Sequence, residues 1–493
     1  MHMLTASVFR WMNICHRRVW RDIHVDHTQR DELSFYISAI MDAGVQHEEK
    51  IHQASVLQIH QVDQAVVPQI RKVPVGNWRE GIQLTQQYMN KQIPVIIGAC
   101  LELEFTSSAS SLSTKLGGRV DRLELQTNGF YAPIEIKIYL KHRQPDEFQL
   151  SFYVWILCQL QQVATLPAVF WLGINEDGTP QNIAPLHYDQ KTFEVQLISA
   201  LEVIAHPEPE VKLLPECHRC HWYSACYPEA VNKKHVTLLA GLRQTTQQDF
   251  AKAGIQTLDQ IIAMQPEELR QFRGIKTTAH GFHASARAWV EDQPIWYGSL
   301  HPLCRTVPIY FDIETIPFQK PVWSIGWAAE GEPVQVVIVD SVHKSKQLKL
   351  PDGGTIALVP DANSAWRYFA ESVSNSEAPI FHWTPYDATN LKNEAPIEVR
   401  DLLLPRLHDL CKSFDRAVKL PIRGVSLKTV GVHLGFAWRG YESWLAAYRD
   451  YQKWLTNRDL KALESACEYQ QDDVTAMMIV RHWLAENASP ELS

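Results

Sequence analysis

A chain of 493 residues with 45% hydrophobic and 21% charged residues is long enough for about two to four domains, and its composition excludes intrinsic disorder. Its formal net charge of −8 excludes a strongly basic nucleic-acid-binding protein, although a local basic patch or metal-bridged phosphates would still permit nucleic-acid contact. No segment has the pattern of a membrane span or a signal peptide, so we expect a soluble cytoplasmic protein.

The first informative stretch runs from Gly118 to Lys137. Apolar and polar residues alternate along its second half, which predicts a strand that carries Glu135 and Lys137 on one face. A surface strand has the same pattern, but here Asp121 lies on the preceding strand-like run. Asp121 and Glu135 could hold a divalent cation through oxygen ligands, and Lys137 could orient the attacking water or neutralise a phosphate charge.

The turn between these two runs contains Asn128-Gly129, a pair typical of β-hairpins. A strict two-residue turn there would pair Asp121 with Ile136 and place Asp121 on the wrong face relative to Glu135. We therefore expect a longer loop or a β-bulge in this hairpin.

The pattern Gly118-x-x-Asp121 followed by Glu135-x-Lys137 resembles the PD-(D/E)xK nuclease superfamily, in its RecB-like branch. The resemblance implies that Asp121 and Glu135 bind Mg²⁺ or Mn²⁺ and that Lys137 is catalytic. It also implies hydrolysis of phosphodiester bonds in nucleic acid.

This resemblance extends to both sides of the hairpin. Downstream, Gln149 and Tyr153 match the Gln-x-x-x-Tyr helix of RecB-type nucleases, and their spacing places both on one helix face. Upstream, Gly44-Val45-Gln46-His47 is similar to the early Gly-x-x-His element of that branch. The resemblance implies catalytic roles for Gln149 and Tyr153 and makes His47 a third metal ligand.

Three cysteines, Cys217, Cys220 and Cys226, lie within ten residues and indicate a metal site. A zinc site would need a fourth ligand, for which His218 and His221 are nearby, and chance clustering is the other alternative.

The remaining alternative for the fourth ligand is Cys15, near the N-terminus. That placement resembles the iron–sulfur nucleases of the AddB type and the CRISPR-associated adaptation nucleases, and it implies a [4Fe–4S] cluster held by Cys15 and the three later cysteines. Four thiolates also suit Zn²⁺, which stays the alternative. We expect either group to tie residue 15 to residue 226 without redox chemistry.

The segment from about residue 231 to residue 288 has helical periodicity interrupted by glycines. It resembles helix-hairpin-helix modules, which implies that turns at Gly254 and Gly274, with Arg273 and Lys276, bind a DNA phosphate. Eight Lys and Arg against four Asp and Glu between Lys233 and Arg287 favour such a contact. The alternative is a plain helical spacer.

A further domain begins after residue 300 with an apolar strand that carries Asp312 and Glu314 on one face. Neighbouring buried carboxylates repel each other unless a cation lies between them. This Asp-x-Glu strand resembles the opening motif of DEDD exonucleases, which have the ribonuclease H-like fold. The resemblance implies Asp387 as the second motif and Asp473, four residues after Tyr469, as the third.

In that family four acids bind two Mg²⁺ or Mn²⁺ ions, and the aromatic residue, here Tyr469, helps to position the water. Asp472 competes with Asp473, but the spacing from Tyr469 favours Asp473. The segments around His408-Asp409 and His433 resemble the YprB-type ribonuclease H-like subgroup. Asp409 could be a carboxylate near the site, whereas we interpret the two histidines as structural.

Together these segments resemble RecB-like nucleases with an appended YprB-type domain. We expect an α/β fold with three parts: a PD-(D/E)xK domain at 1–230, a helix-hairpin-helix-like segment at 231–293 and a ribonuclease H-like domain at 300–493. The resemblance implies a metal-dependent nuclease acting in repair or processing on DNA with single strands or free ends. The alternatives are a ribonuclease and a non-catalytic nucleic-acid clamp with decayed sites.

Overall fold

The computed structural model describes residues 3–33, 35–62, 70–106, 113–275, 278–317, 319–342, 346–350, 353–440 and 443–488. The chain divides into two compact units, Met1–Tyr227 and Pro228–Ser493, with the boundary inside one helix. None of the helices in the described part combines the length and apolarity that crossing a membrane requires.

The first unit is built on a mixed seven-stranded sheet of order β2-β3-β4-β5-β6-β7, in which β1 pairs with β4 in parallel. Its strands are β1 Met3–Thr5, β2 Ile70–Lys72, β3 Val95–Thr106, β4 Ser113–Leu125, β5 Tyr131–Lys137, β6 Val169–Leu172 and β7 Asn182–Pro185. Its helices are α1 Ala6–Met12, α2 His16–His24, α3 Phe35–Val62, α4 Trp78–Asn90, α5 Gln144–Gln161 and α6 Gln190–Ala205, followed by α7 Tyr223–Asn232 across the boundary. Short 3-10 helices cover His27–Gln29 and Pro215–Arg219.

Helices cover both faces of this sheet. The main core contains aromatic side chains of α1, α5 and α6, with the rings of Phe9 and Phe152 centred 4.8 Å apart. Ile51 of α3 packs on Ile134 and Ile136 of β5, which form a smaller cluster. Strand β5 is therefore buried on both faces, and the polar side chains on it are withdrawn from water.

The hairpin between β4 and β5 has the longer loop that the sequence predicts. Residues 126–130 connect the strands, and the Gln126 N–H donates to the Phe130 carbonyl oxygen at 2.8 Å. Arg122 pairs with Ile134, so the same register places Asp121 opposite Glu135. The prediction is confirmed, and both acids lie on one face.

The second unit contains a mixed seven-stranded sheet of order β12-β13-β11-β10-β9-β14-β15 and a separate β8-β16 pair. Its strands are β8 Ile295–Trp296, β9 Ile309–Thr315, β10 Val322–Ala329, β11 Gln335–Val339, β12 Lys346–Lys349, β13 Thr355–Val359, β14 Ile380–His382, β15 Leu407–Asp409 and β16 Val418–Lys419. Its helices are α8 Gln244–Lys252, α9 Leu258–Ile262, α10 Ala279–Glu291, α11 Ala362–Ser372, α12 Pro385–Glu394, α13 Ile397–Leu403, α14 Leu410–Ala417, α15 Leu427–His433, α16 Trp444–Asn457 and α17 Leu460–Asn487. Short 3-10 helices cover Val236–Leu238, Glu268–Gln271, Pro302–Arg305 and Leu404–Arg406.

Two cores sandwich the second sheet. Apolar residues of α14, α16 and α17 pack on one face, and those of α11 and α13 pack on the other, where Phe311 stacks on Phe369 with centroids 4.9 Å apart. Strand β9 alternates between these cores, so Asp312 and Glu314 point to the face that α17 covers. The fold thereby withdraws two carboxylates into its interior.

Candidate functional site

The first unit brings Asp121 and Glu135 together on adjacent strands. The Ile136 N–H donates to Asp121 Oδ2 at 2.8 Å, which orients the Asp121 carboxylate. Glu135 has no exposed surface; its Oε1 accepts a hydrogen bond from Lys137 Nζ, and its Oε2 has no hydrogen-bond partner among the described residues. A buried carboxylate oxygen without a donor is costly unless a cation or water completes it.

The pKa values of these groups reflect that confinement. Burial, and then the Asp121 carboxylate, raise the pKa of Glu135 to about 7. Burial raises the pKa of Asp121 to about 6, although the Lys137 ammonium opposes this rise. Burial lowers the pKa of Lys137, but Glu135 and Asp121 outweigh it and raise the value overall. Oxygen donors with this shared charge fit a hard divalent cation.

Helix α3 carries His47 to the same strand. His47 is 5% exposed, its Nε2 has no hydrogen-bond partner among the described residues, and its ring interacts with the Lys137 backbone. The next residue, Glu48, is a third acidic group that sequence analysis missed. Burial raises the pKa of Glu48, and the charges of Lys137 and Glu135 act on it. Its position next to the predicted ligand His47 could have indicated this from the sequence.

Helix α5 places Gln149 and Tyr153 beside this site, and the two side chains are hydrogen-bonded. The Tyr153 hydroxyl donates to the Arg119 carbonyl oxygen at 2.8 Å. A Cβ on Gly118 would lie 2.7 Å from Tyr153 Cε1, so glycine lets the ring pack on β4. Tyr153 therefore holds the strand that carries Asp121, which is a positioning role.

The N-terminal cysteine, Cys15, lies near Cys220 and Cys226, since its charge acts on both thiols. Cys15 is the N-cap residue of α2. Two residues of α2 contact the later segment: Arg18 Nη2 lies 2.9 Å from His221 Nε2, and the Asp22 carboxylate accepts a hydrogen bond from Trp222 Nε1 at 2.9 Å. Burial raises the pKa of Cys226 to about 11, and the charges of Cys220 and Cys15 add to that rise.

The two histidines proposed as zinc ligands have other partners. His218 Nδ1 donates to the Pro215 carbonyl oxygen at 2.6 Å, and His221 contacts Arg18. Cys217 Sγ accepts the Leu214 N–H at 3.2 Å. None of the nine cysteines, all of which lie in the described residues, forms a disulfide bond.

The second unit assembles its acids more tightly. Three carboxylate oxygens, one each from Asp312, Glu314 and Asp473, lie within 4.8 Å of one another. In the described part of the chain, this is the group of three potential metal ligands at that spacing. Asp312 and Glu314 come from β9, and Asp473 comes from the long helix α17. Among the described residues of the first unit, no three potential metal ligands lie this close together.

Asp387 reaches the same cluster from the first turn of α12. Its Oδ2 accepts the Thr384 N–H at 3.3 Å and the Thr384 hydroxyl at 3.1 Å, a capping-box arrangement. Its charge acts on both Asp312 and Glu314. The four predicted acids therefore face one another, although they are up to 161 positions apart in the chain.

Glu314, Asp387 and Asp473 are buried, and Asp312 is half-buried. Burial, followed by neighbouring carboxylates, raises the pKa of Asp312 and of Glu314 well above the usual range. Burial raises the pKa of Asp387 to about 7 and that of Asp473 to about 6. Four acids cannot all ionise in this space without cations, which fits a Mg²⁺ or Mn²⁺ site.

The competition between Asp472 and Asp473 is resolved as predicted. Asp472 accepts the Arg439 N–H and Nε–H, both at 2.7 Å, and takes no part in the cluster. Asp473 Oδ1 accepts Trp438 Nε1 at 2.7 Å, and the Tyr469 side chain is hydrogen-bonded to Asp473. Tyr469 is thus adjacent to the acids, with its hydroxyl directed to them.

Two further residues of this site were not predicted. Gln470 is fully buried and donates from Nε2 to Asp312 Oδ2 at 2.6 Å; a Cβ on Gly326 would lie 2.5 Å from its Cγ. The Lys428 ammonium lies 4.8 Å from the centroid of the Tyr469 ring, and its charge lowers the pKa values of Glu314 and Asp473. Neither residue belongs to a spacing that sequence analysis could recognise.

The neighbouring histidines and Asp409 have structural partners. Asp409 Oδ1 accepts the Lys412 N–H at 2.7 Å and caps α14, which is not the metal-site role considered for it. His408 Nε2 lies 2.7 Å from Ser413 Oγ, and burial lowers the pKa of His408 to about 4. His433 ends α15.

The glycine turns of the middle segment differ from the expectation. Gly254 and Gly274 both have positive φ, at 72° and 84°, as the predicted turns require. However, the Gly254 N–H donates to the Ala251 carbonyl oxygen at 3.1 Å, so it is not presented to a phosphate. Arg273 forms a paired contact with Asp249, at 2.7 Å from Nε and 2.6 Å from Nη2. Lys276 lies outside the described residues.

Two models of known protein families match this chain. The family model described as the PD-(D/E)XK nuclease superfamily matches residues 14–227, and the one described as the RNase_H superfamily matches residues 309–485. No curated protein matches the chain.

A solved structure titled "Crystal structure of SSO0001" is 15% identical over 30% of this chain and 65% of its own, with a TM-score of 0.19. The match spans less than two thirds of that chain and carries no structural inference. The family models confirm the expected fold class and support nucleic-acid cleavage in general terms. The chain therefore carries a domain of the PD-(D/E)XK nuclease superfamily followed by a domain of the RNase_H superfamily.

Proposed function

We propose that the protein is a metal-dependent nuclease with two separate acidic centres. The observation that carries this proposal is the cluster of Asp312, Glu314 and Asp473, in which one carboxylate oxygen of each residue lies within 4.8 Å of the others and two of the three residues are buried. Such a cluster is unfavourable as an apolar-core feature and favourable as a ligand set for Mg²⁺ or Mn²⁺.

In the second centre, Asp312, Glu314, Asp387 and Asp473 would hold the ions, which polarise the phosphoryl group and activate water when bound. Gln470 fixes the Asp312 carboxylate, and Trp438 fixes that of Asp473. Tyr469, which is hydrogen-bonded to Asp473, would orient the attacking water.

In the first centre, Asp121, Glu135 and His47 would hold the ion, and Lys137 would orient water or stabilise phosphate charge. The unpartnered Glu135 Oε2 and His47 Nε2 support this assignment, since both are buried and both are ligand atoms. Glu48 supplies a further carboxylate nearby.

We further propose that Cys15, Cys217, Cys220 and Cys226 hold a [4Fe–4S] cluster that fastens residue 15 to residue 226. The resemblance to iron–sulfur nucleases favours this cluster, and Zn²⁺, which four thiolates also suit, stays the alternative.

The substrate is proposed to be DNA with single strands or free ends, in repair or processing in the cytoplasm. This rests on the resemblance to RecB-like nucleases. Ribonuclease activity is the alternative that the experiment must distinguish.

The test compares wild type with Asp121→Asn, Asp312→Asn and the double variant on single-stranded DNA, duplex DNA and RNA, with Mg²⁺ or Mn²⁺. Each single variant should lose the products of one centre, and the double variant should be inactive. Glu176→Gln and Glu371→Gln, both exposed acids, are the controls. Cleavage by the double variant at the wild-type rate would refute the two sites.

The cluster is tested separately by anaerobic purification, visible absorption and metal analysis. Cys226→Ser should lose iron and colour, whereas Cys411→Ser, at a half-buried thiol outside the group, should keep both. Colourless wild-type protein with stoichiometric zinc would overturn the iron–sulfur assignment.

A further inference from the structure

A buried carboxylate lies next to the first centre and has no role in metal binding there. Asp146, in the first turn of α5, has no exposed surface. Its Oδ2 accepts the Tyr139 hydroxyl at 2.5 Å and the Arg143 N–H at 2.9 Å. These two donors hold the carboxylate in one orientation, so its second oxygen faces a fixed direction.

That second oxygen faces Arg10 of α1. Arg10 Nη2 lies 3.1 Å from Asp146 Oδ1, an ion-pair distance without hydrogen-bond geometry. The neighbouring Phe9 packs on Phe152 of α5 and fixes α1 in place. The Arg10 side chain is nevertheless 39% exposed, so part of its planar guanidinium faces solvent.

This guanidinium belongs to the surroundings of the acidic centre. Its charge acts on Lys137 and on Tyr139, and the charge of Asp146 acts on Glu135. Tyr139 follows Lys137 by two residues, and its hydroxyl donates to the Asp146 carboxylate that pairs with Arg10. These contacts connect Arg10 to the end of the strand that carries Glu135 and Lys137.

We propose that Arg10, oriented by Asp146, binds a non-scissile phosphate of the nucleic acid that enters the first centre. The proposal rests on the nuclease function proposed above and adds a binding subsite to it. A guanidinium held on one edge by a buried carboxylate presents its other N–H groups in the fork that suits a phosphate. Burial of Asp146 restricts Arg10 to this direction, which reduces the entropy lost when a phosphate binds.

The test uses Arg10→Met, Arg10→Lys and Asp146→Asn in a protein whose second centre is inactivated by Asp312→Asn. Cleavage kinetics on a single-stranded oligonucleotide and its binding in Ca²⁺ are measured across a salt series. Arg71→Met, at an exposed arginine of β2, is the control. Thermal unfolding of each variant records any loss of folding.

Arg10→Met should raise KM roughly tenfold, as expected for a lost charged hydrogen bond, while kcat stays within about twofold. The slope of log binding constant against log salt should fall by roughly 0.7, the value for one phosphate contact on a single strand. Arg10→Lys should keep the salt slope but bind more weakly, because an ammonium lacks the fork. Asp146→Asn should also raise KM, because Arg10 then loses the ion pair that orients its guanidinium.

A salt slope for Arg10→Met equal to that of Arg71→Met would overturn the subsite, since a purely structural Arg10 changes stability but not counterion release. If Arg10→Met unfolds, the same criterion applies to Arg10→Lys and Asp146→Asn, and unchanged KM in both refutes the proposal. Absence of cleavage in the parent protein would instead refute activity of the first centre, and the salt slope would still decide whether Arg10 binds phosphate.

Discussion

Replacing Asp387 by Asn should stabilise the metal-free protein while it abolishes the second centre. Burial raises the pKa of Asp387 from 3.8 to about 7, so the folded protein pays an energetic penalty when this group ionises. At about 1.4 kcal/mol for each pKa unit, the penalty above pH 7 is about 4 kcal/mol. Asn cannot ionise, yet its side-chain oxygen can still accept the Thr384 hydrogen bonds that cap α12.

The sign of the pH dependence follows from proton counts. Between pH 3.8 and about 7 the folded state holds a proton on Asp387 that the unfolded state has lost, so wild-type stability falls as the pH rises through this range. The advantage of Asp387→Asn should therefore be about 4 kcal/mol at pH 8 and about half of that at pH 5. A gain of 4 kcal/mol corresponds to roughly 10 °C in the unfolding temperature of a unit of this size.

The assay is thermal unfolding followed by tryptophan fluorescence, in EDTA at pH 5 and pH 8, with Glu371→Gln as the control. Mg²⁺ at about 100 times its Kd should add about 2.7 kcal/mol to wild type and less to Asp387→Asn, so the difference should shrink. The reasoning is refuted if Asp387→Asn is no more stable than wild type at pH 8 in EDTA. An equal gain at both pH values would also refute it, because ionisation would then not be the cause.

Three other substitutions test single contacts. Lys428→Met should slow cleavage yet bind Mn²⁺ more tightly, because the Lys428 ammonium beside Glu314 and Asp473 competes with the metal. Mn²⁺ affinity is measured by calorimetry with Lys412→Met as the control, and an unchanged affinity would contradict this prediction. Gln470→Leu should reduce the rate roughly tenfold and raise the Mg²⁺ requirement, because Asp312 loses its donor; a wild-type metal titration would speak against it. Gly118→Ala should cost about 1–3 kcal/mol in urea unfolding because its Cβ meets the Tyr153 ring, and failure of Tyr153→Ala to relieve that cost would disprove the cause.

The acidic pattern of each centre could be predicted because local spacing encodes it. Asp312 and Glu314 share a face since a strand repeats every two residues, and Tyr469 and Asp473 share one since a helix repeats every 3.6. A strict two-residue turn would have placed Asp121 on the wrong face for a shared metal with Glu135, and the longer loop predicted from that conflict is present. The first two inferences need only the periodicity of the backbone.

The middle segment illustrates the limit of such patterns. Positive φ at Gly254 follows from its turn context, but the partner of its N–H depends on how that turn closes. The same holds for Arg273, whose charge is visible in the sequence and whose ion pair with Asp249 is not.

Residue types and repeat distances indicated which acids share a face, and the family resemblance of those motifs predicted the two α/β folds and the general chemistry. Only tertiary packing decided that Gln470 reaches Asp312, that Lys428 sits beside Tyr469, and that Arg10 meets Asp146 across 136 positions of sequence. The physical reason is that each of these contacts joins side chains from different elements, so it depends on how those elements pack together. Burial also changes what a carboxylate does, because only in that cavity does a common surface group become a shared ligand for cations.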